Sequence, residues 1–227
     1  MSKAKKKCTP WWRLLPTAQC NTVGRGLAPA AFSCNFAALC YDKRKGGKDM
    51  KKQEKLDLIR FAIETPQLCR CYFTYDDNYY YYYPNAVNEK FLLGQEEDDF
   101  ILDGYCIRKI SHLKKVEIKD DLCNTINKFN GTHELIKMPP VDISSWQSIF
   151  TSLKALDCFI IIENEIEGKF LIGVVEKTLK NKLYFKSFDA DGIWDDVGLE
   201  IPYSQITTVK WATRYADVWQ NYLQQNS

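Results

Sequence analysis

The sequence lacks the signatures of the common catalytic and cofactor-binding sites. It contains two histidines, His112 and His133, and neither lies at a recognisable spacing from a nucleophile or a pair of acids. No glycine-rich phosphate loop, nucleophile elbow or set of zinc ligands occurs in it. These absences favour a non-catalytic protein without a cofactor, and they leave an enzyme with an unfamiliar arrangement as the open alternative.

Paired cysteines are also lacking. The chain has nine cysteines, and an odd number argues against a framework of disulfides. Cys69 and Cys71 would lie on the same face of a strand, which is a weak pattern for metal or redox chemistry. We favour small buried side chains in a reducing cytoplasm, so the cysteine usage predicts a cytoplasmic protein.

The first 49 residues have few acids and no long apolar run. They carry ten of the 31 basic residues but only two of the 29 acidic ones, for a net charge of +8, which leaves −6 for residues 50–227. The most apolar stretch, Leu27–Cys40, is too short and interrupted to span a membrane. Arg13 and Arg25 interrupt what would otherwise resemble a secretory signal.

The stretch KGGKDM, residues 45–50, suggests a reason for this contrast. Codons for its Lys-Gly-Gly can read as a bacterial ribosome-binding sequence, and Met50 follows at the usual spacing. We therefore expect residues 1–49 to be disordered or to represent upstream DNA translated from a misassigned start. A basic tail that binds nucleic acid or anionic lipid is the alternative. The intact mass of the protein, expressed from its own upstream DNA, separates the two.

Residues 50–227 predict an α+β protein. Residues 51–65 have the apolar spacing of a helix, and residues 68–118 indicate strands joined by short turns. A helix over residues 119–129 closes the first half. The polar stretch 131–141 is the best candidate for a linker.

The second half, residues 142–227, repeats this order. Asp142 or Ser144 is expected to cap its first helix, and several strands follow. Residues 110–114 (ISHLK) align with residues 206–210 (ITTVK), and the Asp-Leu at 121–122 aligns with the Asp-Val at 217–218. This similarity predicts a tandem repeat whose first module covers residues 50–130. The last helix is expected to bury four side chains, Tyr215, Val218, Trp219 and Tyr222.

Two family resemblances sharpen this expectation. Residues 168–189 and 201–211 resemble the bent strands and closing turn of an Sm-like small β-barrel, with Gly173 where that family needs a glycine for curvature. Residues 89–94 and 100–118 are similar to the WYL-type domain, itself an Sm-like barrel. The resemblance implies two small β-barrels in tandem, each flanked by helices.

The same resemblance implies a nucleotide-like or nucleic-acid ligand, with Tyr105 and Arg108 in the place of the WYL ligand residues. The sequence departs from that pattern because acidic residues surround them, among them Glu96 and Asp103. A net charge of −6 over residues 50–227 also disfavours phosphate binding, which depends on cationic side chains.

The string FDADGIWDD is the most distinctive motif. Asp189, Asp191 and Asp195 could supply oxygen ligands to a divalent cation such as calcium. The same letters are typical of a tight turn, in which Asp bonds to nearby backbone and Gly192 supplies a positive φ. The turn is the favoured interpretation. Trp194 lies inside the string and is a candidate for a binding surface.

Five consecutive tyrosines, residues 79–83, form the second notable motif. On a strand, Tyr79, Tyr81 and Tyr83 would face one way and the other two would face the opposite way. One set would pack in the core with its hydroxyls at the rim, which is the favoured interpretation. An exposed set would suit protein recognition or base stacking.

Together these patterns predict a non-catalytic binding or adaptor protein that engages a protein partner through an aromatic and acidic surface. The candidate surface residues are Tyr79, Tyr81, Tyr83, Tyr105, Arg108 and Trp194. A regulator that binds a ligand or nucleic acid is the second hypothesis, and a divalent-metal enzyme is the third. No membrane span is expected, and self-association is left open.

Overall fold

The structure, a computed structural model, describes residues 50–119 and 121–226, so the expectations for residues 1–49 lie outside the described residues. Within this part the chain forms four α-helices and ten strands, which confirms the α+β class. The helices are α1 (Lys52–Glu64), α2 (Leu122–Phe129), α3 (Trp146–Ala155) and α4 (Arg214–Gln225). The strands are β1 (Cys69–Phe73), β2 (Tyr79–Val87), β3 (Phe91–Asp98), β4 (Ile101–Lys109), β5 (Leu113–Ile118), β6 (Ile160–Asn164), β7 (Lys169–Thr178), β8 (Lys182–Ser187), β9 (Leu199–Pro202) and β10 (Thr208–Trp211).

The two halves of the chain have the same order of elements and the same strand pairing. Each half has a helix, five antiparallel strands with a short 3₁₀ turn before the fifth, and a closing helix. In space the strands follow the order β5-β1-β2-β3-β4 in the first half and β10-β6-β7-β8-β9 in the second. The fifth strand of each half therefore pairs with the first strand of the same half.

The prediction of two separate barrels differs from the observed sheet. All ten strands form one continuous antiparallel sheet, because β4 of the first half pairs with β10 of the second, with Thr208 opposite Arg108 and Lys210 opposite Cys106. Within the described residues the two end strands, β5 and β9, do not pair with each other, so this sheet is not closed. The pairing of β4 with β10 joins the two halves, and β10 is in turn paired with β6 of its own half.

Three apolar clusters pack against the sheet. The largest includes Val209 and Trp211 of β10 and the buried side chains of α3. A second lies under α1 and includes Cys106, and a third lies under α4 and includes Ile161. Lys210 is paired with Cys106 on one side and with Ile161 on the other. A strip that contains Lys210 therefore separates the second and third clusters on one face of the sheet.

The strand pairing also explains Gly173 of β7. A Cβ atom at this position would lie 2.0 Å from the carbonyl oxygen of Lys186 in the paired strand β8. Such a distance is far inside van der Waals contact, so the close approach of the two backbones requires glycine. The resemblance drew attention to this position because of strand curvature, and the contact gives it a direct steric reason.

The helix caps correct one expectation and part of the repeat alignment. Ser145, rather than Asp142 or Ser144, caps α3, since its side chain accepts a hydrogen bond from the backbone N–H of Ser148. Asp142 instead accepts hydrogen bonds from Ser144. Asp121 caps α2 and Thr213 caps α4, so Asp121 and Asp217 are not equivalent positions.

The two closing helices differ most from the sequence expectation. The side chains of Tyr215, Val218 and Tyr222 on α4 are exposed, so the prediction that they are buried is wrong; α4 buries Ala216, and Trp219 packs partly into the third cluster. On α2 the buried residues are Asn124 and Asn127, whereas Phe129 is 88% exposed.

No helix in the described part of the chain combines the length and apolar character needed to cross a bilayer. The five cysteines within this part are unpaired thiols, of which Cys69, Cys71 and Cys106 are buried. Burial raises the pKa of Cys69 and of Cys106 to about 12. These thiols remain protonated at neutral pH, and they pack as small apolar side chains.

Candidate functional site

The tyrosines of β2 alternate between the two faces of the strand, as predicted. Tyr79 contacts Tyr81 and Tyr80 contacts Tyr82, with ring centroids 5.3 and 6.5 Å apart. Tyr82 and Tyr83 are both buried, so the core draws on both sets; Tyr79 is the most exposed of the five, at 45%. Arg70 lies over the Tyr79 ring and donates a hydrogen bond to the Tyr81 hydroxyl at 2.9 Å. Of the candidate set Tyr79, Tyr81 and Tyr83, the structure therefore leaves only Tyr79 and part of Tyr81 accessible.

Three other predicted surface residues are partly or fully buried. Tyr105 is half-buried and stacks on Trp211 with 5.3 Å between ring centroids. Trp194 packs between Phe159 and Phe188 at the edge of the third apolar cluster. Arg108 is 1% exposed. The structure thus does not bring the predicted binding residues together on one surface.

The aspartates near residue 190 form a turn. The Asp189 carboxylate accepts hydrogen bonds from the backbone N–H of Asp191 and Ile193, both at 2.9 Å, and Gly192 has a φ of +79°. Asp195 instead accepts a hydrogen bond from the Ser187 hydroxyl. Among the described residues, no group of three or more His, Cys, Asp or Glu side chains is arranged to hold a metal ion.

A chain of five alternating charges crosses the junction between β4 and β10. Glu165 accepts hydrogen bonds from Arg108 Nη1 at 2.5 and 2.7 Å, and Arg108 Nη2 lies 3.4 Å from Glu96. Lys210 Nζ lies 3.3 Å from Glu96 and 3.6 Å from Glu163. The order is Glu165, Arg108, Glu96, Lys210, Glu163. Glu96 and Arg108 belong to the first half and the other three to the second. We call these five residues the charge chain.

Tyrosines complete the bonding at the Arg108 end of the charge chain. Arg108 Nε donates to the Tyr82 hydroxyl at 2.6 Å, and Tyr82 donates in turn to Glu96 at 2.7 Å. Arg108 Nη1 also donates to the Tyr75 hydroxyl at 2.6 Å. A buried ion pair is tolerated only where its remaining donors are satisfied in this way. The positive charge of Arg108 is therefore neutralised within the protein, which leaves it poorly available to an anionic ligand.

The pKa values of Glu96 and Glu163, two carboxylates of the charge chain, shift in opposite directions. Burial alone would raise the pKa of Glu96, but the charges of Lys210 and Arg108 outweigh it and hold that pKa below its ordinary value. Burial raises the pKa of Glu163, and repulsion from Glu165 and Glu96 works against the attraction of Lys210. The negative charge of Glu163 is thus only weakly compensated by the neighbouring cations.

A surface cavity of about 380 Å³ opens beside this end of the charge chain. Glu96, Glu163 and Lys210 form its charged side, and Asp103 adds a carboxylate. The remaining lining residues are Ile161, Phe170, Thr213 and Tyr215. The rings of Phe170 and Tyr215 meet nearly perpendicularly, with 5.9 Å between centroids, and each side chain is about half exposed. We call this space the junction cavity.

Apolar and aromatic surface extends from the junction cavity along α4. Tyr215 lines the cavity, and Val218 and Tyr222, at helical spacing from it, are exposed on the same helix. Exposed aromatic side chains beside a concave site are common in protein-recognition surfaces. The structure therefore contains an aromatic and acidic surface, but at residues other than those predicted.

Sequence reasoning missed Glu163, Lys210 and Phe170, although a signal for the first two was present. In the strand ITTVKW, Thr208 and Lys210 lie on one face, and the apolar residues that alternate with them lie on the opposite face. The run IIIENE places Glu163 and Glu165 at the same spacing directly after an apolar stretch. Charges that alternate with apolar residues on two strands indicate a polar strip if the strands pair.

Comparisons with protein-family models, with curated proteins and with solved structures found no match to this chain. The functional argument therefore depends on the site, since a fold alone does not imply an activity.

Proposed function

We propose that this chain is a non-catalytic binding protein that engages a protein partner at the junction cavity and the adjoining face of α4. The observation that carries this proposal is a cavity lined both by carboxylates and by half-exposed aromatic rings. Aromatic side chains supply contact area at low entropic cost, and charged groups supply specificity. The partner segment is expected to combine apolar residues with basic ones.

Support also comes from what surrounds the cavity. The exposed residues Tyr215, Val218 and Tyr222 offer apolar area that an isolated helix face would normally turn inward. The carboxylates Glu96, Asp103 and Glu163 outnumber the single lysine at the cavity. This charge balance favours a basic partner over the phosphate groups of nucleic acid.

We further interpret each half of the chain as one small Sm-like module. The shared order of a helix, five antiparallel strands and a 3₁₀ turn before the fifth supports this interpretation. In this view the fourth strand of the first module pairs with the fifth strand of the second, and the junction cavity forms where they meet. The binding site would then be a product of the duplication.

The test is a selection from a random-peptide display library on the full-length chain. We expect the selected peptides to carry Lys or Arg next to apolar residues. Phe170→Ala and Tyr215→Ala should each weaken their binding by about tenfold or more, as expected for aromatic residues that dominate an interface. Phe129→Ala is the matched control, since Phe129 is exposed on α2 and does not line the cavity.

Circular dichroism of each variant establishes that its fold is retained. Peptides that bind all three variants as tightly as the original protein would contradict the proposed site. Selected peptides that lack basic residues would contradict its electrostatic basis.

A further inference from the structure

The charge chain has an odd number of members and an open end. Three carboxylates alternate with two cations, which leaves a formal charge of −1. At the closed end, Glu165 is bonded to Arg108 through both oxygens and to the Thr208 hydroxyl at 3.0 Å. At the other end, Glu163 is paired with Lys210 across 3.6 Å.

Glu163 is incompletely bonded by the part of the chain that the structure describes. Its Oε2 is buried and accepts no hydrogen bond there. Apart from Lys210 Nζ at 3.6 Å, this oxygen has no polar partner among the described residues, and such a buried atom destabilises the protein unless water, an ion or a ligand group satisfies it. Although Oε2 itself is buried, the side chain as a whole is 18% exposed and lines the junction cavity, so a cation that enters the cavity lies beside this carboxylate.

The cavity has the size and the walls for a single long side chain. A volume of about 380 Å³ is near the lower end of the range for small-molecule sites. Phe170 and Tyr215 present aromatic rings within it, and a cation over such a ring is stabilised by its quadrupole. Asp103 adds a further carboxylate, with Asp217 close enough to interact with it.

We propose that the junction cavity receives the cationic side chain of an arginine or lysine of the partner polypeptide, which pairs with Glu163 and extends the charge chain to six alternating members. The inference rests on the proposed function and names the anchor group of that same site. An arginine suits it well, because a planar guanidinium can stack on a ring while it donates to a carboxylate.

The groups that face Glu163 set how its charge responds to the incoming cation. They are Lys210 of β10, Glu96 of β3, Arg108 of β4 and Glu165 after β6. Without a ligand, the carboxyl gains a proton at a higher pH than an exposed glutamate does. A bound cation favours the ionised form, so binding near this pH releases a proton.

The experiment uses Nα-acetylated arginine amide as the probe and Nα-acetylated citrulline amide, whose side chain is uncharged, as its isostere; they are called arginine amide and citrulline amide below. Both are titrated into the full-length chain, and the amide and ring resonances of Phe170 and Tyr215 are followed by NMR. We expect saturable changes in chemical shift with arginine amide at a roughly millimolar Kd, as befits a single side chain. Citrulline amide should give an affinity lower by about tenfold or more. Equal responses to the two probes would overturn the proposal.

Two further measurements test the role of Glu163. Glu163→Gln should lower the affinity for arginine amide by about tenfold, whereas Glu176→Gln, at a glutamate on β7 that does not line the cavity, should leave it unchanged. Calorimetry in two buffers of different ionisation enthalpy should show proton release with the original protein and none with Glu163→Gln. An unchanged affinity in Glu163→Gln would overturn the proposal.

Failure of this inference can be told apart from failure of the proposed function. Library peptides that depend on Phe170 and Tyr215 but bind Glu163→Gln as tightly as the original protein would support the proposed binding surface and contradict the cationic anchor at Glu163. Peptides whose binding depends on none of the three residues would contradict both the proposed binding surface and the anchor.

Discussion

Arg108, in the first half of the chain, donates hydrogen bonds to both carboxylate oxygens of Glu165, in the second half, at 2.5 and 2.7 Å. The pair lies beside the strand pairing of β4 with β10, where Arg108 is opposite Thr208. Thr208 in turn donates a hydrogen bond to Glu165. A backbone ladder and a buried ion pair thus join the two halves at the same place.

Removal of the cation from this pair should be costly. In Arg108→Met, the carboxylates of Glu165 and Glu96 lose their buried partner, and we expect the free energy of unfolding to fall by about 3–5 kcal/mol. Arg60→Met is the control, because Arg60 forms an exposed pair with Asp57 and should cost less than about 1 kcal/mol. Urea denaturation measures both.

The double variant Arg108→Met/Glu165→Met separates the ion pair from mere side-chain size. Because it removes a buried charge along with its partner, it should be more stable than Arg108→Met alone. A double variant less stable than either single one would show that packing, rather than unpaired charge, accounts for the loss.

Local rules predicted much of the fold but not the joining of its halves. The strand–turn–strand over residues 69–87 follows from β-branched and aromatic residues around an Asp-Asp-Asn turn, and it is confirmed. The pairing of Tyr105 with Trp211 depends on partners 106 positions apart, and no local pattern indicates which strand β4 will choose. The barrels were predicted separately for this reason.

The candidate site was harder to predict because its residues come from six elements, β3, β4, β6, β7, β10 and α4. Arg108 was singled out through the resemblance to the WYL-type domain, yet its exposure depends on Glu165 and on the hydroxyls of Tyr75 and Tyr82, which reach it from other strands and loops. Helix periodicity likewise predicted that Tyr215 would be buried. The amphipathic rule states that one face packs inward, and on α4 the small Ala216 occupies that face.

The ionisation of Glu163 should make the free energy of unfolding depend on pH. Burial raises its pKa above the ordinary 4.5, so the folded chain binds this proton more tightly than the unfolded chain does. Stability from this group is therefore complete below pH 4.5 and is lost as the pH rises through the raised pKa. Glu163→Gln mimics the neutral carboxyl at every pH. We expect it to match the original protein at low pH and to exceed its stability at higher pH.

Glu96 provides the opposite case within the same charge chain. Its pKa is lowered, so its contribution is present above the ordinary carboxylate pKa and is lost as the pH falls through the lowered value. The contribution of Glu96 to stability changes below pH 4.5 and that of Glu163 changes above it. The difference in free energy of unfolding between Glu163→Gln and the original protein, followed as a function of pH, therefore reports on Glu163. A difference that does not change with pH would contradict the assignment.

The approach of β7 to β8 predicts a contrast between two glycines. In Gly173→Ala the new Cβ would meet the Lys186 carbonyl oxygen at 2.0 Å, and neither backbone can move without disturbing the sheet. We expect a loss of roughly 3 kcal/mol or more, at or above the usual cost of overpacking. In Gly198→Ala the nearest atom is the carboxylate end of Glu176, which can rotate away. That variant should cost less than about 1 kcal/mol, and similar losses in both would contradict the steric argument.

The Asp189 turn gives a test between its two interpretations. Asp189→Ala removes the acceptor of two backbone hydrogen bonds and should lower the free energy of unfolding by about 1–3 kcal/mol, whereas Asp189→Asn keeps an oxygen acceptor and should lower it less. Asp191→Ala, at an exposed side chain, is the control. Calcium or magnesium should leave the melting temperature unchanged. A rise with either ion that disappears in Asp191→Ala would instead favour the metal interpretation.

Salt dependence distinguishes a protein partner from nucleic acid. For peptides selected on the full-length chain, aromatic contacts contribute independently of salt, and a single partly buried ion pair is screened only weakly. We expect their affinity to fall by less than about tenfold between 50 and 200 mM salt. A protein that contacts six to ten phosphates loses about 10³–10⁵ in affinity over the same range.

A nucleic acid that binds the full-length chain with that steep salt dependence, and that competes with the peptides, would support the second hypothesis, in which the junction cavity binds nucleic acid. A shallow slope together with loss of binding in Tyr215→Ala would retain the protein partner.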